Sequence, residues 1–271
     1  MHLRTLIVAA TLLVPHSLFA AELDALPETL ADLDATEQER HRLSGSLGVL
    51  VVNTGRFVGS DERITAPLPL VYFNYNDRLY WSISSVGGWL LRSDDRRFRL
   101  GVLAKARGGM DGDDAPYTGI LDRDASVDAG LNLAWRTRYV TVGASWLADV
   151  ADRSHGQSAS LRLSFPIRLS ERWMTTPGVG VEWLDDKMVD YYYGITAAET
   201  GGGAPLYTGT ASTQWRAGWS LGYRISRDWR VTGGVSYTRL GDGLADSPLV
   251  SRTDNLLAYL GFSWSFRSDS R

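Results

Sequence analysis

Residues Trp215–Ile225 read WRAGWSLGYRI. The odd positions are Trp215, Ala217, Trp219, Leu221, Tyr223 and Ile225; the even ones are Arg216, Gly218, Ser220, Gly222 and Arg224. A period of two puts each set on its own face of a β-strand. One face is therefore apolar and begins on tryptophan, while the other is small or charged. Near the C-terminus, Leu256, Ala258, Leu260, Phe262, Trp264 and Phe266 share one face, against Leu257, Tyr259, Gly261, Ser263 and Ser265 on the other. Alternation recurs at Val127–Trp135, Val140–Trp146, Leu161–Ile167, Val179–Trp183 and Val231–Tyr237, and less cleanly at Phe98–Ala104 and Leu47–Val51.

A soluble β-sandwich also alternates, so three further features decide. The apolar faces end in aromatics: Trp135, Trp146, Trp183, Trp215, Tyr237 and Trp264. The opposite faces hold mostly Gly, Ser, Thr and Arg, which suits a wet or salt-bridged lumen. The segments run to about 10–14 residues, longer than ordinary strands and near the length a tilted membrane strand needs. Tight links such as Asn76-Asp77, Ser93–Asp95, Ser170-Glu171 and Arg227-Asp228 contrast with long ones at Arg107–Arg123, Asp185–Gly209 and Gly241–Asp254. Short periplasmic turns and long extracellular loops are the pattern of outer-membrane barrels. The expected fold is an all-β, antiparallel transmembrane outer-membrane β-barrel.

Eleven strands are predicted: 44–54, 64–75, 78–91, 96–107, 124–136, 139–149, 156–168, 172–185, 210–226, 229–241 and 254–266. Single-chain bacterial barrels have even strand numbers. Splitting Arg78–Arg92 at Ser85-Val86-Gly87-Gly88 gives twelve, the expected number; ten is the alternative. Met1–Ala20 has an early Arg4, an apolar run from Leu6 to Val14, Pro15 and a small-residue exit, as a signal peptide does. Residues 21–43 form an acidic periplasmic leader, residues 44–266 the barrel and residues 267–271 a polar tail. The chain of 271 residues has no cysteine, so neither disulfides nor thiolate chemistry enter. A net charge of −3 gives no sign of a nucleic-acid partner.

Several segments carry a resemblance. Tyr192-Tyr193-Gly194-Ile195, then Glu199, then Ala204-Pro205-Leu206-Tyr207 is similar to the YYG…E…PxY element of the MipA/OmpV family. Arg239-Leu240 followed by Ala245–Val250 resembles its RL…DSPIV element, and Phe57–Asp61 followed by Pro67-Leu68-Pro69 resembles its Y-x-G-S-D…P-x-P opening. Asp124–Leu131 is a fourth, looser match. The matches span roughly residues 45–266 in the family's order. Phe57 stands where tyrosine is usual, and residues 267–271 follow the final aromatic Phe266 on which family members commonly end. The resemblance implies localisation in the cell outer membrane. It implies contact with outer-membrane lipid and a scaffold role toward a murein lytic transglycosylase and a murein synthase.

The candidate lumen charges are Arg99, Lys105, Asp128, Arg162, Glu182, Arg216 and Arg224; alternation also points Arg97, Arg168 and Arg230 inward. A water-filled lumen of this kind would favour anions, whereas a narrow barrel fills itself with side chains. The candidate loop contacts are Tyr191, Tyr192, Tyr193 and Tyr207, either reaching outward to a partner or serving as girdle aromatics. An enzyme reading rests on His155 beside Ser154, Ser158 and Asp152, without a G-x-S-x-G element. Asp111, Asp113 and Asp114 would hold at most adventitious calcium. No cofactor, metal or catalytic site is expected. The function expected is a non-enzymatic scaffold. A narrow channel for small anionic solutes is the alternative, and a lipid-modifying enzyme comes third.

Overall fold

The computed structural model describes residues 43–268. Its strands are β1 (Leu43–Gly55), β2 (Arg63–Tyr75), β3 (Leu79–Trp81), β4 (Ser85–Arg92), β5 (Phe98–Arg107), β6 (Ser126–Arg136) and β7 (Thr141–Asp149). They continue as β8 (Gln157–Ser164), β9 (Ile167–Arg168), β10 (Trp173–Leu184), β11 (Ser212–Arg224), β12 (Trp229–Arg239) and β13 (Asp254–Ser268). Both β8 and β9 pair with β10, and only Phe165-Pro166 separates them. They count as one wall strand broken at a residue that cannot donate to the ladder.

The wall is therefore a closed antiparallel barrel of twelve strands, in which β13 meets β1 and β10 meets β11. Closure satisfies most of the wall's backbone within the protein, as a bilayer requires, although β2 pairs with β3 only at Phe73–Tyr75. Strand limits fall within about two residues of the sequence reading, with two differences that bear on the wall. The break in Arg78–Arg92 comes at Ser82–Ser84, not at Gly87-Gly88, which belong to β4. Strand β13 runs on to Ser268, so Arg267 and Ser268 pair with Ser44 and Leu43. The tail is thereby shortened. The signal peptide and the leader up to residue 42 lie outside the described residues.

Burial follows the alternation. Trp215, Trp219, Leu256, Leu260, Phe262 and Trp264 are exposed on the outer surface, while Ser220, Leu257, Tyr259, Ser263 and Ser265 are buried within. One sector of the interior departs from the polar pattern. Leu50 and Val52 of β1, Ala66 and Leu68 of β2, and Leu257 and Tyr259 of β13 form a single buried apolar cluster. Strands β1 and β2 are thus apolar on both faces, which blurs their alternation in sequence. A fully buried Leu contributes roughly 1.5–3 kcal/mol, so this sector is held by apolar burial rather than by the ion pairs found elsewhere in the lumen.

The short turns Asn76–Arg78, Ser93–Arg97, Thr137–Val140, Leu169–Arg172 and Ile225–Asp228 lie at one end. Residues 82–84 turn the short β3–β4 hairpin back three residues above the Asn76–Arg78 turn, while at the opposite end are the links of residues 56–62, 108–125, 150–156, 185–211 and 240–253. Two helices occur there: α1 (Asp186–Tyr193) and the single turn α2 (Asp242–Ala245).

Candidate functional site

The long outer loops fold over the mouth and hold one another. Helix α1 starts at Asp185, whose side chain accepts from the Met188 N–H at 2.9 Å and so caps the first turn. Its buried residues Met188 and Val189 pack with Leu184, Leu240 and Leu244. A second cluster joins Phe57, Met110, Ile120, Ile195, Ala204 and Leu249, which come from four different loops. The segment Asp185–Gly209, read from sequence as one glycine-rich loop, therefore begins with a helix and continues into a 3-10 turn over Ala197–Gly202.

The four candidate tyrosines are half-buried and turned toward neighbouring loops. The Tyr191 hydroxyl accepts from the Asp124 N–H at 3.0 Å, and its ring meets that of Tyr192 edge-on at 4.8 Å. Tyr193 donates to the Val58 carbonyl at 3.2 Å, and Tyr207 donates to the Gly243 carbonyl at 2.8 Å. Burial raises the pKa of Tyr191, Tyr192 and Tyr207. Tyr191, Tyr193 and Tyr207 thus bond to other loops, and Tyr192 packs against the cluster of Leu184, Met188, Val189, Leu240 and Leu244.

One buried ion pair latches the cap. Glu199 is 1% exposed and Arg123 is 8% exposed. Glu199 Oε1 accepts from Arg123 at 2.7 Å and from the Leu121 N–H at 3.0 Å. Its Oε2 accepts from the Thr196 hydroxyl at 2.7 Å and the Thr196 N–H at 2.9 Å. Burial alone would raise the pKa of Glu199; the hydrogen bonds from Thr196, Leu121 and Arg123 outweigh it and hold the group down at about 2. Arg123 also donates to the Gly194 carbonyl at 2.9 Å, which ties the 108–125 loop to the end of α1.

Beneath the cap lies the lumen network. Asp128 is fully buried and accepts from Arg107 Nε at 2.7 Å. The other side of the Arg107 guanidinium lies 3.6 Å from Glu182, which also accepts from Gln214 at 2.8 Å. Arg216 stands 3.9 Å from Glu182 and donates to Thr238 at 3.3 Å. Arg107 thus bridges the two candidate acids, although the sequence reading placed it at the junction of strand 96–107 and the long link and not among the lumen charges. Lys105 lies opposite Asp128 in the β5–β6 register. Arg162 and Arg216 line a cavity of about 50 Å³ with Ser164, Thr176, Ser220 and Ser236, room for little more than a water or two.

The remaining predicted lumen charges lie lower. Arg99 pairs with Asp77 at 3.2 Å and stands over the Trp89 ring at 6.0 Å. Arg224 donates to the Glu171 carbonyl in the adjacent turn. Arg97 is exposed and pairs with Asp95 at 3.5 Å, and Arg168 is exposed as well, both at the end of the short turns. These arginines belong to a basic rim. The short turns carry Arg78, Arg96, Arg97, Arg138, Arg172 and Arg227, and strand ends add Arg92, Arg136, Arg230 and Arg267. The carboxylates of that end, Asp77, Asp94, Asp95, Glu171 and Asp228, are fewer. The outer loops are instead acidic, with Asp111, Asp113, Asp114, Asp122, Asp124, Asp185, Asp186 and Asp190 among them.

The remaining candidates have local roles. Asp114 pairs with Arg56 at 2.9 Å, joining two loops, and Asp111 caps its own 3-10 turn. His155 Nδ1 is 3.2 Å from Asp152, whereas the Ser154 hydroxyl donates to Asp149 at 3.3 Å. Serine and histidine therefore have separate partners. Among the described residues no group of three His, Cys, Asp or Glu side chains is arranged to hold a metal.

A lipid-facing apolar wall, a charged interior and one end of short turns define an outer-membrane β-barrel. A family model described as "MltA-interacting protein MipA" matches residues 47–266, and the chain belongs to that family. The MltA-interacting protein of Escherichia coli (strain K12) is 29% identical over 209 residues, covering 74% of this chain and 81% of that protein. The putative outer membrane protein YiaT of the same organism is 28% identical over 222 residues, 79% of this chain and 87% of its own length. Among solved structures, the translocator domain of autotransporter NalP from Neisseria meningitidis covers 92% of this chain and 99% of its own, at 10% identity and a TM-score of 0.41. The chain is thus an outer-membrane protein of the MipA family.

Proposed function

We propose that this barrel is a non-enzymatic scaffold that holds murein-remodelling enzymes at the inner surface of the outer membrane. A murein lytic transglycosylase and a murein synthase are its partners in this reading. The observation that carries it is the contrast between the two ends. The outer mouth is covered by loops that spend their tyrosines and their buried ion pair on one another. The periplasmic end presents a ring of arginines on short, well-held turns. Arginine makes bidentate contacts with carboxylates and is enriched at protein interfaces. The name of the relative in Escherichia coli, an MltA-interacting protein, supports the same assignment.

Crosslinkers placed in living cells at Arg138, Arg172 and Arg227 test this, with captured proteins identified by mass spectrometry. Recovery of a murein transglycosylase or synthase, absent from a control barrel, is the expected result. Capture of assembly factors and lipoproteins alone would overturn it. The channel reading retains one supporting observation, the cavity between Arg162 and Arg216. Single-channel recording decides it, since a barrel this filled is expected to stay silent until its loops are removed.

A further inference from the structure

Strand β2 has a neighbour on only one side for most of its length. It pairs with β1 along all of Arg63–Tyr75, but with β3 only at Phe73, Asn74 and Tyr75. The hairpin of β3 and β4 turns back at Ser82–Ser84, with the Ser82 N–H donating to Ser85 at 2.8 Å. Above that tip, no described strand adjoins β2 on this side.

The orientation of the backbone identifies what the open edge presents. The carbonyl of Tyr72 points at Gly45 of β1. Even-numbered residues of β2 therefore bond toward β1, and Pro67, Pro69 and Val71 point their backbone groups the other way. Proline has no N–H. Arg63 and Thr65 share that orientation near the upper strand end, so two of the five positions along this edge lack a donor, and of the three below Thr65 only Val71 keeps one.

The edge lies at the depth of the hydrocarbon. Asn53, Arg63 and Thr65 bond to one another on the outward side of the upper strand ends, marking the polar boundary. Exposed Val49 and Val51 lie below them, opposite Pro69 and Pro67. The gap is framed on every side. β2 bounds it on one side and the chain leaving β5 at Arg107 on the other, Ser82–Ser84 is its sill, level with Ala106, and the Arg56–Asp114 ion pair at 2.9 Å joins the loops above it. Directly behind it is the apolar cluster of Leu50, Val52, Ala66, Leu68, Leu257 and Tyr259, with Ile64 and Ile83 packed against it.

We propose that this window admits an acyl chain of the surrounding outer-leaflet lipid into the apolar sector of the barrel, with Ile83 as the movable threshold. The occupant follows from the surroundings. An open strand edge in hydrocarbon is costly unless its polar groups are few or met. Here two donors are removed and one is left within the apolar stretch, at Val71, while the interior offers an apolar surface of the bilayer's own character. A water-borne solute would meet no polar lining in this sector, while a hydrocarbon chain only exchanges one apolar environment for another. The site is separate from the arginine rim and stands whether or not the scaffold reading holds.

The test uses the full-length barrel in vesicles containing phosphatidylethanolamine with a diazirine in the middle of one acyl chain. A parallel sample receives a short, water-soluble diazirine alcohol instead. After illumination, adducts are mapped by mass spectrometry. The expected result is lipid-probe adducts on Leu68, Leu50 or Ile83 beside those on the lipid-facing Val49, Val51 and Leu260. The interior adducts should be lost in Ala66→Phe, which fills the sector, while the outer ones persist. Should that variant fail to assemble, the wild-type map decides alone. Adducts confined to the lipid-facing residues, or interior labelling by the water-soluble probe only, would overturn the proposal.

Discussion

Replacing Glu199 with glutamine should release the cap while leaving the wall intact. The carboxylate receives four hydrogen bonds, two on each oxygen, from Arg123, Leu121 and Thr196. Glutamine keeps one acceptor and turns an NH2 group against two donors on the other side. It also leaves the Arg123 charge buried without its counter-ion. The size of the effect follows from the carboxyl group, which the cap holds at about 2 against an ordinary value of 4.5. That difference corresponds to about 3 kcal/mol. Because the folded value is depressed, this stability is present in full above pH 4.5 and is lost as pH falls toward 2. Amide hydrogen exchange at Ile195 and Tyr207, which bond to each other across the loop, reports the local opening. In Glu199→Gln at neutral pH their protection should fall roughly a hundredfold, since 1.4 kcal/mol is tenfold. The wild type should lose the same protection between pH 4.5 and 2 after correction for intrinsic rates, and the variant should not. Protection in Glu199→Gln equal to wild type at neutral pH would refute the latch.

The lumen and loops yield three further predictions. Asp128→Asn removes the charge-assisted bond to Arg107 Nε but leaves Glu182 as its counter-ion, and the barrel should lose about 1.5–3 kcal/mol in urea unfolding followed by gel mobility. Replacing residues 186–208 by a short Gly-Ser linker should turn a silent barrel into a conducting one with anion preference, since Arg107, Arg162 and Arg216 then meet water. A planar-bilayer recording without conductance would show that the loops do not close the mouth. His155→Ala should leave outer-membrane lipid composition unchanged, because His155 is exposed and the Ser154 hydroxyl is committed to Asp149; altered lipid A or phospholipid by mass spectrometry would revive an enzymatic reading.

The wall was legible because strand periodicity is a one-dimensional signal. Trp215 and Trp219 alternate with Arg216 and Ser220 whatever the rest of the chain does. Asp128 and Glu182 could be placed inside by counting residues along a strand. The contacts between them could not, since Arg107 sits at the last position of β5 and reads equally well as loop. The cap was not legible at all: Arg123 and Glu199 are separated by 76 residues, and nothing local announces their pairing. Helix α1 did leave a sign, Asp185 three residues ahead of Met188, but eight residues make too short a periodic pattern to outweigh the glycines that follow. Splitting Arg78–Arg92 gave the right strand number, but Gly87 drew the break a few residues too far along the chain, for a related reason. A side chain there would meet the Tyr80 ring at 2.3 Å, so this glycine serves close packing rather than chain reversal.

The prolines of β2 pose the remaining conflict between sequence and fold. Proline inside a strand reads as an edge, yet closing a barrel abolishes edges. Both rules hold if the wall is closed at the periplasmic half of the β2–β3 seam and open above it. Phe73, Asn74 and Tyr75 make the seam below. Pro67 and Pro69 occupy positions where a paired neighbour would have required their N–H groups. A valine at either site would restore a donor aimed into hydrocarbon. The cost of that unmet donor, rather than any local turn preference, accounts for two prolines one residue apart in the middle of a thirteen-residue strand.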